Sequence, residues 1–246
     1  MGAQRILAVV EYDGAQFKGF QIQKNGRSVQ EVLEKALAKV LQEKVRIYPS
    51  GRTDSGVHAV AHPFHFDTQT CLTPPQVLRA VNSVLPQDVV VKKTQKVSSK
   101  FHARFSAKSK IYRYHIWNSR IRSPLKRHDY AIIYEPLDVK AMREALKQLV
   151  GKHDFKAFCA SGSKVDSTVR TIKKAILKTK GSEIIVEFEA DGFLYNQVRN
   201  MIGTLLWVGH GKLKPNDIPR IFKTKDRKNA GPTAPAQGLT LLKVKY

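Results

Sequence analysis

Apolar positions along this chain fall into runs of two periods. Residues 5–12 are short, apolar and β-branched, as a buried strand requires, and Asp13-Gly14 closes them with a turn signal. Ser28 and Glu31 have the spacing of a capping box, and Val29, Val32, Leu33, Ala36, Leu37, Val40 and Leu41 then mark one helical face. Residues 45–48 predict a strand, 50–56 a loop, and 57–66 another strand. Pro74 and Pro75 open a short helix over 76–84, and residues 89–91 predict a strand. The aromatic, β-rich residues 111–117 predict a strand as well. Asp138 caps a helix carrying Met142, Ala145, Leu146, Leu149 and Val150, with Gly151 as its C-terminal stop. Residues 169–178 and 183–190 read as strands joined at Lys180-Gly181. A long helix is predicted from about 192 to 208, and a final strand over 239–244.

Strands and helices alternate, yet hairpin signals recur, so the pattern favours an α+β fold with antiparallel or mixed sheets over a strictly parallel α/β one. Each half has similar strand–helix–strand content without a sequence repeat. A soft boundary near 100–110 divides the chain into an N-terminal half, 1–105, and a C-terminal half, 106–246.

Charge changes this picture most. Lys and Arg number 43 against 20 Asp and Glu, a formal net charge of +23, on a chain that is 42% hydrophobic and so expected to fold. Nucleic acid is the commonest partner for such a surface, because neutralised phosphates release their counterions. A membrane is the weaker reading: no apolar run approaches the roughly 18 residues of a spanning helix. Glu11 and Asp13 also interrupt the first apolar run, against a secretory leader. Cys71 and Cys159 form no metal-binding or disulfide pattern and read as small hydrophobes, so a cytoplasmic protein is expected.

The richest stretch for chemistry is Gly51-Arg52-Thr53-Asp54-Ser55-Gly56-Val57-His58-Ala59. Its glycines permit close backbone approach, Arg52 suits a phosphate or a base, and Asp54 suits a nucleophile or base. Taken alone, the loop is explained first as an Asx-type turn. His58, His62 and His65 invite a metal, but Pro63 interrupts the run and His65 falls on the opposite face of a strand; three polar side chains on a half-buried strand is the better account. Tyr112 and Tyr114 share a sheet face, where core packing competes with stacking on a base. Residues 102–110 interleave cations, Arg104 among them, with small and aromatic residues, as a nucleic-acid groove does. Arg199 lies within the apolar set of the long helix and calls for a carboxylate partner, unless it snorkels to solvent. The basic run 223–228 reads as a solvated face or a phosphate contact.

Taken in order, these segments resemble a known family. Phe17-Lys18-Gly19-Phe20-Gln21-Ile22-Gln23, Val29-Gln30, the Gly51–Ala59 stretch, Ala103-Arg104-Phe105-Ser106-Ala107-Lys108 with Tyr112-Arg113-Tyr114, Phe193-Leu194 with Val198-Arg199-Asn200, and residues 233–239 are similar to the tRNA pseudouridine synthase A family. The resemblance spans residues 5–244, with Phe20 where many members carry Trp and Gln197 where Met is frequent. It implies the pseudouridine synthase fold: two ferredoxin- or RRM-like halves forming an extended mixed sheet with a central cleft. It implies a homodimer acting on the anticodon stem-loop of tRNA at positions 38–40, with neither metal nor organic cofactor. In that scheme Asp54 is the catalytic carboxylate, Tyr112 lies against the target base, Arg199 pairs with Asp54, and Arg52 and Arg104 bind the RNA. Two rivals stand beside it. A non-catalytic basic RNA-binding protein would tolerate Asp54→Asn, and a metal-dependent nuclease using Asp54 and the three histidines would fail under chelation.

Overall fold

The computed structural model describes residues 3–24, 26–162 and 165–246. Among the described residues there are ten strands and five α-helices. In chain order they are β1 (Gln4–Tyr12), α1 (Val29–Leu41), β2 (Tyr48–Pro49), β3 (His58–Thr68), α2 (Pro74–Asn82), β4 (Val89–Val97) and β5 (Ser109–Asn118). There follow β6 (Ala131–Ile133), α3 (Val139–Gln148), β7 (Gly151–Asp154), β8 (Val169–Lys180), β9 (Glu183–Ala190), α4 (Gln197–Gly209), α5 (Ile218–Thr224) and β10 (Leu239–Lys245). No helix among the described residues is long and apolar enough to cross a membrane. The expected α+β class holds.

The chain divides into two compact units. One runs from the N-terminus to Lys108 and takes back Thr240–Tyr246; the other is Ser109–Leu239. In the first, β1 lies between β4 and β3, antiparallel to both, β2 pairs with β3, and β10 runs parallel to β3 through Thr240–His58 and Leu241–Ala59. Residues 240–246, which the sequence places with the second half, therefore complete the first unit's mixed sheet. Helix α1 buries Val29, Leu33, Ala36 and Leu37. Its start follows from Ser28, whose Oγ accepts from Glu31 N at 3.3 Å, while the Glu31 carboxylate pairs with Lys35 at 2.6 Å. In α2, Thr73 N donates to Gln76 Oε1 at 2.8 Å, fixing the first turn that Pro74 and Pro75 pre-organise.

Strands β2 and β3 depart from expectation. The run 45–48 yields only β2, because Ile47 N donates to Glu34 Oε1 at 3.1 Å instead of to a neighbouring strand. Pro63 does not interrupt β3; it pairs with Val9 of β1. Its carbonyl accepts from Ser50 N at 2.8 Å, and a strand residue's N–H and C=O face the same edge. The missing donor therefore faces the side where β2 is only two residues long.

In the second unit β5, β9, β8 and β7 form an antiparallel run, with β6 parallel to β5 at its edge. Tyr114, Ile116, Val186 and Phe188 fill the inner face. Helix α3 is capped by Asp138, whose Oδ1 accepts from Ala141 N at 2.9 Å. Its C-cap is Leu149 rather than Gly151, which at φ 115° opens β7 instead. Helix α4 begins at Gln197, five residues later than its apolar run predicts, and is buried on nearly every side. A Cβ on Gly203 would stand 1.6 Å from Pro232 O, and one on Gly231 2.4 Å from Gly203 O. Only glycine at both places lets the segment before β10 lie against the helix backbone.

Candidate active site

The loop between β2 and β3 is clamped from below by main-chain bonds. Phe20 N donates to Thr53 O (3.1 Å), Gly56 N and Ser55 Oγ donate to Phe17 O (both 3.2 Å), and Val57 N donates to Asp54 O (3.2 Å). Segment 17–20 lies so close that a Cβ on Gly19, which has φ 97°, would stand 2.8 Å from Thr53 O. Thr53 turns inward and its hydroxyl meets Tyr12 Oη at 2.7 Å. Its neighbours are less buried: Arg52 is exposed and Asp54 half-buried. Close backbone packing and a buried middle residue thus present one cation and one carboxylate from a rigid turn. The stretch turns through a main-chain bond, Val57 N to Asp54 O, whereas the expected Asx-type turn would use the Asp54 side chain.

Three histidines of β3 each tie down a different loop. His58 Nδ1 accepts from Gly14 N at 3.0 Å. His62, fully buried, stands between Tyr12 Oη (3.0 Å from Nδ1) and Gly51 O (3.1 Å from Nε2). A carbonyl only accepts, so Nε2 carries a proton, and in the neutral ring Nδ1 accepts from Tyr12. His65 Nδ1 accepts from Ala103 N at 3.1 Å under the ring of Tyr48, 5.1 Å away and nearly parallel. Burial pushes His65 down to about 4, so its ring is neutral at ordinary pH. All three are polar side chains on the strand, as expected, and all are buried and bonded to main-chain groups. Among the described residues no group of three or more His, Cys, Asp or Glu is arranged to hold a metal.

Through His65 the strand also sets the next loop. Ala103 is fixed, Arg104 N donates to His102 Nδ1 at 3.1 Å, and His102 N donates to Ser106 Oγ at 3.1 Å. The Arg104 side chain is exposed, its guanidinium 5.7 Å from the centre of the exposed Phe105 ring.

The second unit holds the other two sequence candidates around segment 192–196. Tyr112 and Tyr114 share a face of β5 but differ in burial. Tyr114 is buried, donates to Pro235 O at 2.7 Å, and has its hydroxyl pKa pushed well up by burial. Tyr112 is half-buried, with Phe193 edge-on at 5.2 Å. Arg199, also half-buried, donates from Nε to Ala234 O at 2.8 Å and from Nη1 to Asn196 Oδ1 at 3.1 Å. Ala234 N in turn donates to Arg199 O at 3.1 Å.

The supporting roles of several residues escaped the sequence reading. Asn200 is fully buried on α4: its Oδ1 accepts from Arg227 Nη2 (2.9 Å) and Thr233 Oγ1 (2.7 Å), and its Nδ2 donates to Phe158 O (2.8 Å). Part of the basic run 223–228 is therefore spent internally, since Lys225 also pairs with Asp154 at 2.9 Å. Tyr12 and His62 gave one signal, polar atoms inside otherwise apolar strand runs.

Comparison with known proteins places these residues in context. A family model described as tRNA pseudouridine synthase matches residues 8–106 and 145–246. A protein named tRNA pseudouridine synthase A from Thermoanaerobacter sp. (strain X514) is 46% identical over 243 residues, 99% of this chain and 100% of its own. Proteins of the same name from Exiguobacterium sp. (strain ATCC BAA-1283 / AT1b) and Geobacillus kaustophilus (strain HTA426) are 43% and 45% identical, each over 99% of this chain and 98% and 95% of their own.

Proposed function

This chain belongs to the tRNA pseudouridine synthase family, and from that premise we propose that Asp54 is the carboxylate that carries its reaction, at positions 38–40 of the tRNA anticodon stem-loop. As a family member the chain is an isomerase that turns uridine into pseudouridine within tRNA. The reaction breaks the C1′–N1 bond, turns the uracil, forms C1′–C5, releases the C5 proton to solvent and returns a proton to N1. Nothing is oxidised or reduced, and no co-reactant is consumed.

A carboxylate serves this chemistry by attacking C1′, by attacking C6 of the uracil, or by removing a ribose proton, and all three routes require Asp54 ionised. The observation that carries the reading is the clamped turn: segment 17–20 bonds to Thr53 O and Gly56 N at its two ends while Asp54 between them stays half-buried. Such a turn spends little reorganisation when substrate arrives. Arg199 is assigned as the cationic partner that keeps the carboxylate ionised, supported by the two bonds that orient its guanidinium. Tyr112 is assigned to the face of the target base, supported by its partial exposure beside Phe193 where Tyr114 is sealed in the core. Arg52 and Arg104, both exposed, are assigned to the RNA, which must give up a stacked base for a few kcal/mol. The net charge of +23 supports tRNA as a polyanionic partner. The reading extends, on the family resemblance, to a cytoplasmic homodimer that needs neither metal nor organic cofactor.

The test is release of tritium from C5-labelled uridine in an unmodified tRNA transcript, with EDTA present. The parent should release label and Asp54→Asn should not, with tRNA binding kept in both. Equal release by the two proteins would remove Asp54 from the reaction, and tight binding without release by the parent would favour a non-catalytic RNA-binding role.

A further inference from the structure

We propose that Asn196 is a positioning residue for Arg199, its left-handed backbone and its side-chain oxygen together fixing where the guanidinium points. The inference rests on the reading of Arg199 as part of the catalytic site. Asn196 immediately precedes α4 with φ 57° and ψ 7°. Asn is a common residue in that place, but it ordinarily has extended backbone and turns its side-chain oxygen onto an N–H of the first helical turn. Asn196 does neither. It makes no capping bond, and its Oδ1 accepts from Arg199 Nη1 at 3.1 Å.

Its neighbour takes on part of the work at this helix end. Gln197, fully buried, accepts from Leu194 N through Oε1 at 2.7 Å, tightening the turn from the inside. That leaves the Asn196 amide to the guanidinium. The bond to Ala234 O uses Nε and the bond to Asn196 uses Nη1, two different N–H groups of one planar fork, so together they set its plane as well as its position. Asn adopts the left-handed conformation more readily than most residues, yet still at a cost relative to glycine, and outside helix ends such residues gather at functional sites. Among the described residues Asn196 is one of three non-glycine positions with positive φ, and the other two, Gln42 and Lys225, directly follow helices, where that conformation is a routine stop.

The two roles of Asn196 separate on substitution by glycine, which suits φ 57° better than asparagine and removes the oxygen. Asn196→Gly should melt at or above the parent's temperature and keep tRNA KM within about twofold, while kcat falls by about tenfold, the loss expected of one charge-assisted bond made to an orienting partner. Asn196→Asp keeps the oxygen in place and should recover most of that rate. If Asn196→Gly turns over like the parent while Arg199→Ala is impaired, Asn196 is only a turn residue and the inference fails. A lower melting temperature with kcat and KM both disturbed in Asn196→Gly, unrelieved in Asn196→Asp, would also overturn it, in favour of a structural role. If Arg199→Ala itself keeps the parental kcat, the underlying reading of Arg199 fails instead.

Discussion

Helix propensity and the packing of α4 make opposite predictions for Gly203→Ala. An alanine in a helix interior is worth about 1 kcal/mol over glycine. Here the added Cβ would stand 1.6 Å from Pro232 O, whereas ordinary contact begins near 3.4 Å. The segment carrying Pro232 must then retreat by about 1.8 Å, more than a hydrogen bond survives. The bond from Gly231 N to Thr204 Oγ1 (2.8 Å) breaks, and the exchange between Ala234 and Arg199 (2.8 and 3.1 Å) is strained. At about 1 kcal/mol for each of two or three bonds, the loss is about 2–3 kcal/mol. Set against the gain in propensity, the net destabilisation is about 1–2 kcal/mol. For a chain of this size that lowers the melting temperature by roughly 2–8 °C. Thermal unfolding followed by circular dichroism measures it, and tritium release from the same preparation should fall because Ala234 moves with the segment. A Gly203→Ala protein that melts at or above the parent would show that the segment yields freely and that it does not fix Arg199.

Two further outcomes follow from the first unit. His65 is neutral in the fold at about 4 against an ordinary 6.5, so between these values the unfolded chain takes up a proton that the folded one refuses. Stability is therefore fully present above pH 6.5 and drains away as pH falls towards 4, by up to about 3 kcal/mol. His65→Asn offers Ala103 N an oxygen that does not titrate, and should flatten denaturant-midpoint curves across that window; an unchanged slope would refute the assignment. Arg104→Ala should weaken tRNA binding evenly across sequences and reduce the slope of log K against log salt by about 1, as loss of one phosphate contact does. An unaltered slope would place Arg104 away from the backbone.

Elements specified by local chemistry were legible. α1 and α3 announced themselves through Ser28 and Asp138 and an apolar stripe, and the β8–β9 hairpin through two β-rich runs about Gly181. Elements held by distant partners were not. β4 reads as a strand only over residues 89–91 because Lys92, Lys93 and Lys96 break its apolar pattern, as charged residues on a sheet edge do. The run at 45–48 looked like a strand until Glu34 captured the Ile47 amide. The start of α4 was misplaced because Phe193 and Leu194 continue its apolar run, while the left-handed turn at Asn196 leaves no periodic trace. At the site, Asp54 stood out only through the ordered set of family motifs; as an isolated loop, turn chemistry accounted for it. Its supports, Tyr12, His62 and Gly19, lie apart in sequence and meet only because β1 pairs with β3 and segment 17–20 lies across the loop.

The return of β10 to β3 sets an order on the birth of this enzyme. The residues that pair with His58 and Ala59, directly after the Asp54 loop, are Thr240 and Leu241. A ribosome must translate the whole of the second unit before it delivers them. A nascent chain can therefore collapse its first unit early, as N-terminal segments do, yet it carries an unfinished sheet edge beside the Asp54 turn until translation has passed Leu241. Premature termination anywhere in the second unit would leave that edge bare, giving a protein that is inactive and prone to strand-to-strand aggregation.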